Sequence, residues 1–168
     1  MSLQTPIRKF SFSAVHPGAR ASQYETALLW LQDAGQVHKV HRVREVRPPL
    51  KLCEEQGAFR LFVIDCGLLG AMADVSPKMS VEASEAFEAA KAMFTMQLVA
   101  QTLIGRGLRP RYWARVNSSG RLDFVLDIEG AAIPMEVSAE TAVRSQALCA
   151  FIAEHPKWKG LATFFRRL

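Results

Sequence analysis

The sequence predicts an α/β protein, and three observations carry that prediction. Apolar residues recur at helical spacing in two stretches, around 22–34 and 81–104. Short runs rich in Val, Ile, Phe and Leu lie between and after them, at 37–43, 59–65, 122–128 and 131–138. Hydrophobic residues make up 49% of the 168 and charged residues 22%, the balance of a chain that buries a core.

The elements read in order as follows. Ser22-Gln23-Tyr24-Glu25 has the pattern of a capping box and opens a helix expected to bury Ala27, Leu28, Trp30, Leu31 and Ala34. Gly35 is its expected stop. Strands at 37–43 and 59–65 follow, joined by a connection carrying Arg42, Arg44, Arg47, Pro48, Pro49 and Lys51. A helix followed by a hairpin with a basic tip is the outline of a winged-helix unit. A short helix at 67–73 and a turn capped by Ser76-Pro77 close this first part, 1–75.

The second part, 76–168, opens with a helix over 81–104, ended by Gly105 and Gly107. Its residues Ala89, Met93, Met96, Ala100 and Leu103 form one stripe, which predicts a core face. A strand at 111–115, a polar turn at Asn117-Ser118-Ser119-Gly120, and strands at 122–128 and 131–138 come next. A helix at 142–154 and a strand at 161–165 complete the series. Trp113, Trp158, Phe164 and Phe165 read as core or interface residues.

Several function classes are disfavoured. No apolar run is long enough to cross a bilayer and the N-terminus lacks signal-peptide regions, so a cytoplasmic protein with no membrane partner is expected. Cys53, Cys66 and Cys149 are odd in number and widely spaced, the usage of a reducing compartment. His38 and His41, three apart on a strand, point to opposite faces and do not share a zinc ion. No Gly-x-x-x-x-Gly-Lys-Ser/Thr loop occurs, so the sequence holds no phosphate cradle for ATP. The net charge of +5 is compatible with a polyanion partner without demanding one.

One hairpin carries chemistry. If Glu129-Gly130 is a two-residue turn, Ile128 pairs with Ala131, Leu126 with Ile133, Val125 with Pro134 and Asp123 with Glu136. Two carboxylates then stand opposite each other, with Ser138 two residues further along that face. Leu122, Phe124, Leu126 and Ile128 share the other face with Ile133, Met135 and Val137. Opposed like charges call for a cation or a shared proton, and two carboxylates suffice for a Mg²⁺ ion that keeps its waters. A solvent-facing acid pair is the plainer reading of the same residues.

The pattern Asp123…Pro134-Met135-Glu136-Val137-Ser138 resembles the core of PD-(D/E)XK nucleases, the restriction-endonuclease-like fold. Gly18-Ala19-Arg20, Trp30-Leu31-Gln32-Asp33-Ala34-Gly35, Pro49-Leu50-Lys51 and Asp65-Cys66-Gly67-Leu68-Leu69-Gly70 are similar to a stretch of a large prokaryotic AAA-type ATPase family. That resemblance implies an ATPase module, then a winged-helix segment, then a C-terminal domain of unknown function with the nuclease-like fold and a mixed sheet. It places metal-holding acids at Asp123 and Glu136, an activating Lys at Ser138, and a further helix Glu at Met96. Ser138 carries no positive charge and Met96 is no ligand, so the implied nuclease site is degenerate.

The expected function is therefore that of a non-catalytic accessory or binding region, with its own ATPase module as partner and ATP bound only there. Alternatives are a metal-dependent nuclease, in which a base such as Arg121 or Arg144 replaces the missing Lys, and a winged-helix DNA-binding regulator. For nucleic acid the candidate contacts are Arg42, Arg44, Arg47 and Lys51, which equally read as a solvated tip. Homo-oligomer formation is left open.

Overall fold

In the computed structural model, residues 9–12, 15, 17–18, 20–75, 85–115, 120–137, 146–154 and 163–164 are described. Ser138, Arg144, Trp158, Phe165, the Ser76-Pro77 turn and the Asn117-Ser118-Ser119 segment lie outside them.

Helix α1 spans Ala21–Asp33. Its N-cap is Arg20, two residues ahead of the expected box at Ser22. Gln23 closes the first turn by accepting the Arg20 N–H on Oε1 at 2.9 Å. Gly35 ends it as expected, with φ of 70°. The Gln36 N–H reaches back to the Leu31 carbonyl and the Gly35 N–H to that of Gln32, each at 2.9 Å, the two bonds of a Schellman motif.

Strands β1, Val37–Val43, and β2, Glu54–Val63, follow, with a 3₁₀ turn at Leu50–Cys53 between them. Then come α2, Cys66–Met72, and α3, Glu85–Gly105. The series ends with β3 (Arg111–Ala114), β4 (Arg121–Ile128), β5 (Ala131–Glu136), α4 (Gln146–Glu154) and β6 (Thr163–Phe164). The strands form one mixed sheet of order β2-β1-β3-β4-β5-β6. β1 runs parallel to β3 and β5 parallel to β6, while β3, β4 and β5 are antiparallel. The α/β class with a mixed sheet is thus the observed one. No described helix is long and apolar enough to cross a membrane.

The chain groups into two compact units, each discontinuous: 1–40 with 58–101, and 41–57 with 102–168. Both run across the boundary read near residue 75.

In the first unit α1 is anchored by aromatic packing. Phe12 stacks near Tyr24 at 6.4 Å, Phe10 stacks on Phe59 at 5.6 Å, and the Phe10 N–H donates to the Phe59 carbonyl at 2.7 Å. Among the described side chains of the helix, Tyr24, Leu28 and Gln32 are drawn inward, and Leu28 is the buried one. The expected inward face fails at four of its five positions: Ala27, Trp30, Leu31 and Ala34 are exposed. Periodicity shows where apolar residues lie on a helix, not which side meets a neighbour. Helix α3 behaves as read, with Met96, Val99, Ala100 and Leu103 buried. Its Gln97 side chain donates to the Val63 carbonyl at 2.7 Å, and Gln101, one turn on, accepts the Cys66 N–H at 2.8 Å. Asp65 caps α2 by accepting the Leu68 N–H at 2.7 Å, which gives the Asp-x-Gly-Leu-Leu-Gly stretch a structural reason.

In the second unit Val43, Val46, Leu50, Leu122, Val125, Ala132, Leu148 and Phe151 make one core. The bases of the connection are solvated as read, but its apolar residues are not. Val46 and Leu50 carry the 44–53 connection inward, and the Leu50 N–H donates to the Asp127 carboxylate at 3.2 Å. Two apolar side chains reach a core while Arg44, Arg47 and Lys51 stay in solvent, so the connection lies down as a strap with its charges outward.

Candidate functional site

The turn at Glu129-Gly130 has positive φ at both residues, 52° and 76°, as a two-residue hairpin of the primed kind requires. The ladder it sets is the expected one: Ile128 opposite Ala131, Asp127 opposite Ala132, Leu126 opposite Ile133, Val125 opposite Pro134 and Phe124 opposite Met135. The paired register ends there, one step short of the expected Asp123–Glu136 pair.

Two features change what that juxtaposition means. On the other side of β4, Arg111 pairs with Val125 and Trp113 with Leu122, so two steps along β3 match three along β4. The extra residue is a β-bulge at 123–124. It places Leu122 on the face of Val125, and both join the same core cluster, so Leu122 departs from its expected face with Phe124 and Leu126. Strict alternation therefore does not carry from Val125 to Asp123.

Second, Asp123 is 6% exposed and its Oδ2 accepts the Val137 N–H at 3.0 Å. In the regular ladder Val137 would lie opposite Leu122. The bulge takes Leu122 out of that rung, β5 ends at Glu136, and the carboxylate receives the N–H that would otherwise be stranded. Asp123 closes the ladder. Glu136, half-buried, is the last residue of β5.

Oδ2 of Asp123 accepts a backbone N–H, and Met96, where the resemblance implies a helix Glu, is a buried thioether. Ser138 lies outside the described residues, and among those described no three His, Cys, Asp or Glu side chains gather to hold a metal. Arg121 is exposed at the start of β4.

Three of the four candidate bases, Arg42 in β1 and Arg44 and Arg47 in the strap, lie beside acids. Arg42 donates from Nε to Glu55 at 3.0 Å, Arg44 lies 3.7 Å from the same carboxylate, and Arg47 lies 3.4 Å from Glu45. Glu54 takes the buried Arg111 at 2.8 Å. Lys51 is exposed. Glu55 is thirteen residues from Arg42, and the placement of β2 beside β1 in the sheet brings them together. The local charge offered to a polyanion is much smaller than the four bases suggest.

Trp113 packs edge-on against Phe151 at 5.2 Å beneath the Arg115 guanidinium, so it is structural. The Cys66 thiol has its pKa raised, first by burial and then by the Asp65 carboxylate. A thiol held protonated is a poor nucleophile.

A family model for a domain of unknown function, DUF8612, matches residues 1–79. No curated protein and no solved structure matches the chain.

Proposed function

We propose that this chain is a non-catalytic accessory region of an AAA-type ATPase, with nucleotide hydrolysis carried by a module outside the sequence and the nuclease-like hairpin retained as scaffold. The observation that carries the reading is the use of Asp123: its carboxylate closes the β4–β5 ladder on the Val137 N–H. That bond gives the buried acid a structural use that needs no metal. The motif resemblance to the ATPase family and the missing phosphate loop supply the rest.

The nuclease alternative requires Asp123 Oδ1 to hold a metal together with Glu136 while Oδ2 stays on the Val137 N–H. The DNA-binding alternative requires the strap bases to exchange Glu45 and Glu55 for phosphates.

The complete open reading frame and its purified product test the proposal. A phosphate-binding loop upstream, MgATP turnover by the full-length product and none by this chain are expected. A frame without that loop, or turnover by this chain, overturns it.

A further inference from the structure

The outward side of α1 lies opposite the Tyr24 and Leu28 anchor and carries Thr26, Leu29, Trp30 and Asp33. Thr26 and Asp33 each lie three or four residues from both Leu29 and Trp30. Trp30 is 70% exposed and Leu29 52%, an unusual display for the largest side chain of a folded protein. Two acids border the pair: Asp33 follows Trp30 by three and Leu29 by four, and Glu25 precedes Leu29 by four. The helix contains no Lys or Arg, and neither acid makes an ion pair among the described residues.

We infer that this face of α1 docks an amphipathic helix of another protein, one whose apolar stripe is bordered by Lys or Arg. The charge pattern selects that occupant. A chain of net charge +5 keeps this apolar face free of bases and edges it with carboxylates, which repel nucleic acid and anionic lipid. A second copy would set acids against acids across a helix only about 20 Å long. A partner helix laid along α1 covers Leu29 and Trp30 between its ridges while its bases meet Glu25 and Asp33. The inference goes beyond the accessory reading, because it follows from α1 alone.

The test uses the full chain and a synthetic amphipathic helix of Leu and Lys, beside its Leu and Glu counterpart and anionic vesicles. The Trp30 signal is the difference between wild type and Trp30→Phe emission, read with acrylamide quenching. In the free chain Trp30 is expected to be open to quencher at every protein concentration. The Leu/Lys helix shifts its emission to the blue and shields it. Trp30→Ala weakens binding on the order of tenfold or more, as loss of a central aromatic anchor does. Asp33→Asn and Glu25→Gln weaken it severalfold and flatten its salt dependence. Circular dichroism checks that each variant stays folded. A Trp30 already shielded in the free chain overturns the inference. So does equal binding of the Leu/Glu helix, shielding by vesicles or by self-association, or no response to the Leu/Lys helix.

Discussion

Replacing Asp123 asks whether the acid serves the fold or opposes it. A buried carboxylate kept for chemistry opposite Glu136 is a strained feature, and neutralising it should stabilise the chain. A carboxylate that closes a ladder does the reverse. Asp123→Asn keeps an oxygen for the Val137 N–H but exchanges a charge-assisted bond for a neutral one, a loss of about 1 kcal/mol. Relief of repulsion from Glu136 offsets part of it. Asp123→Ala leaves the N–H without that acceptor and opens a small void at a 6% exposed position, which sums to about 2–3 kcal/mol. Against a total stability of about 5–15 kcal/mol, these shifts are resolvable by urea unfolding at neutral pH. The expected order is wild type, then Asn, then Ala. If either variant matches or exceeds wild type, the ladder-closing role is wrong.

Other perturbations probe the same framework. Leu50→Ala removes a fully buried anchor of the strap and should cost about 2–5 kcal/mol in the same unfolding assay. Glu54→Gln leaves the buried Arg111 guanidinium without its carboxylate and should cost about 3 kcal/mol, more than Glu55→Gln, whose partners are less buried. Cys66 is held as the thiol, so its contribution to stability is complete below the ordinary thiol pKa and is lost as pH rises through the raised value. Unfolding at alkaline pH should show that decline and Cys66→Ala should remove it. Mass spectrometry should find iodoacetamide modifying exposed Cys149 before Cys66. Arg44→Gln with Arg47→Gln should change duplex-DNA affinity little, since Glu55 and Glu45 already meet these cations; a large, salt-dependent drop in a filter-binding assay would instead favour the DNA-binding reading.

The elements and the β4–β5 register were legible because their signals are local. Glu129-Gly130 names its own turn, and alternation on both sides sets the pairing. Met96 was read as core from the spacing of its own helix. What stayed hidden depends on distant neighbours. The bulge at 123–124 exists only relative to β3, and it moves Leu122 to a face that its own strand does not predict. The bases of the strap are solvated as read, but the burial of Val46 and Leu50 between them needs the core that β4, β5 and α4 supply. The outward Trp30 was assigned inward because an apolar stripe announces burial without naming what covers it.

Metal-dependent phosphodiester cleavage is the most direct trial of the non-catalytic reading. Purified chain is incubated with plasmid and single-stranded DNA in Mg²⁺ and in Mn²⁺, beside Asp123→Ala. No cutting above background is expected from either protein; robust cleavage by the wild type that vanishes in the variant would contradict the account.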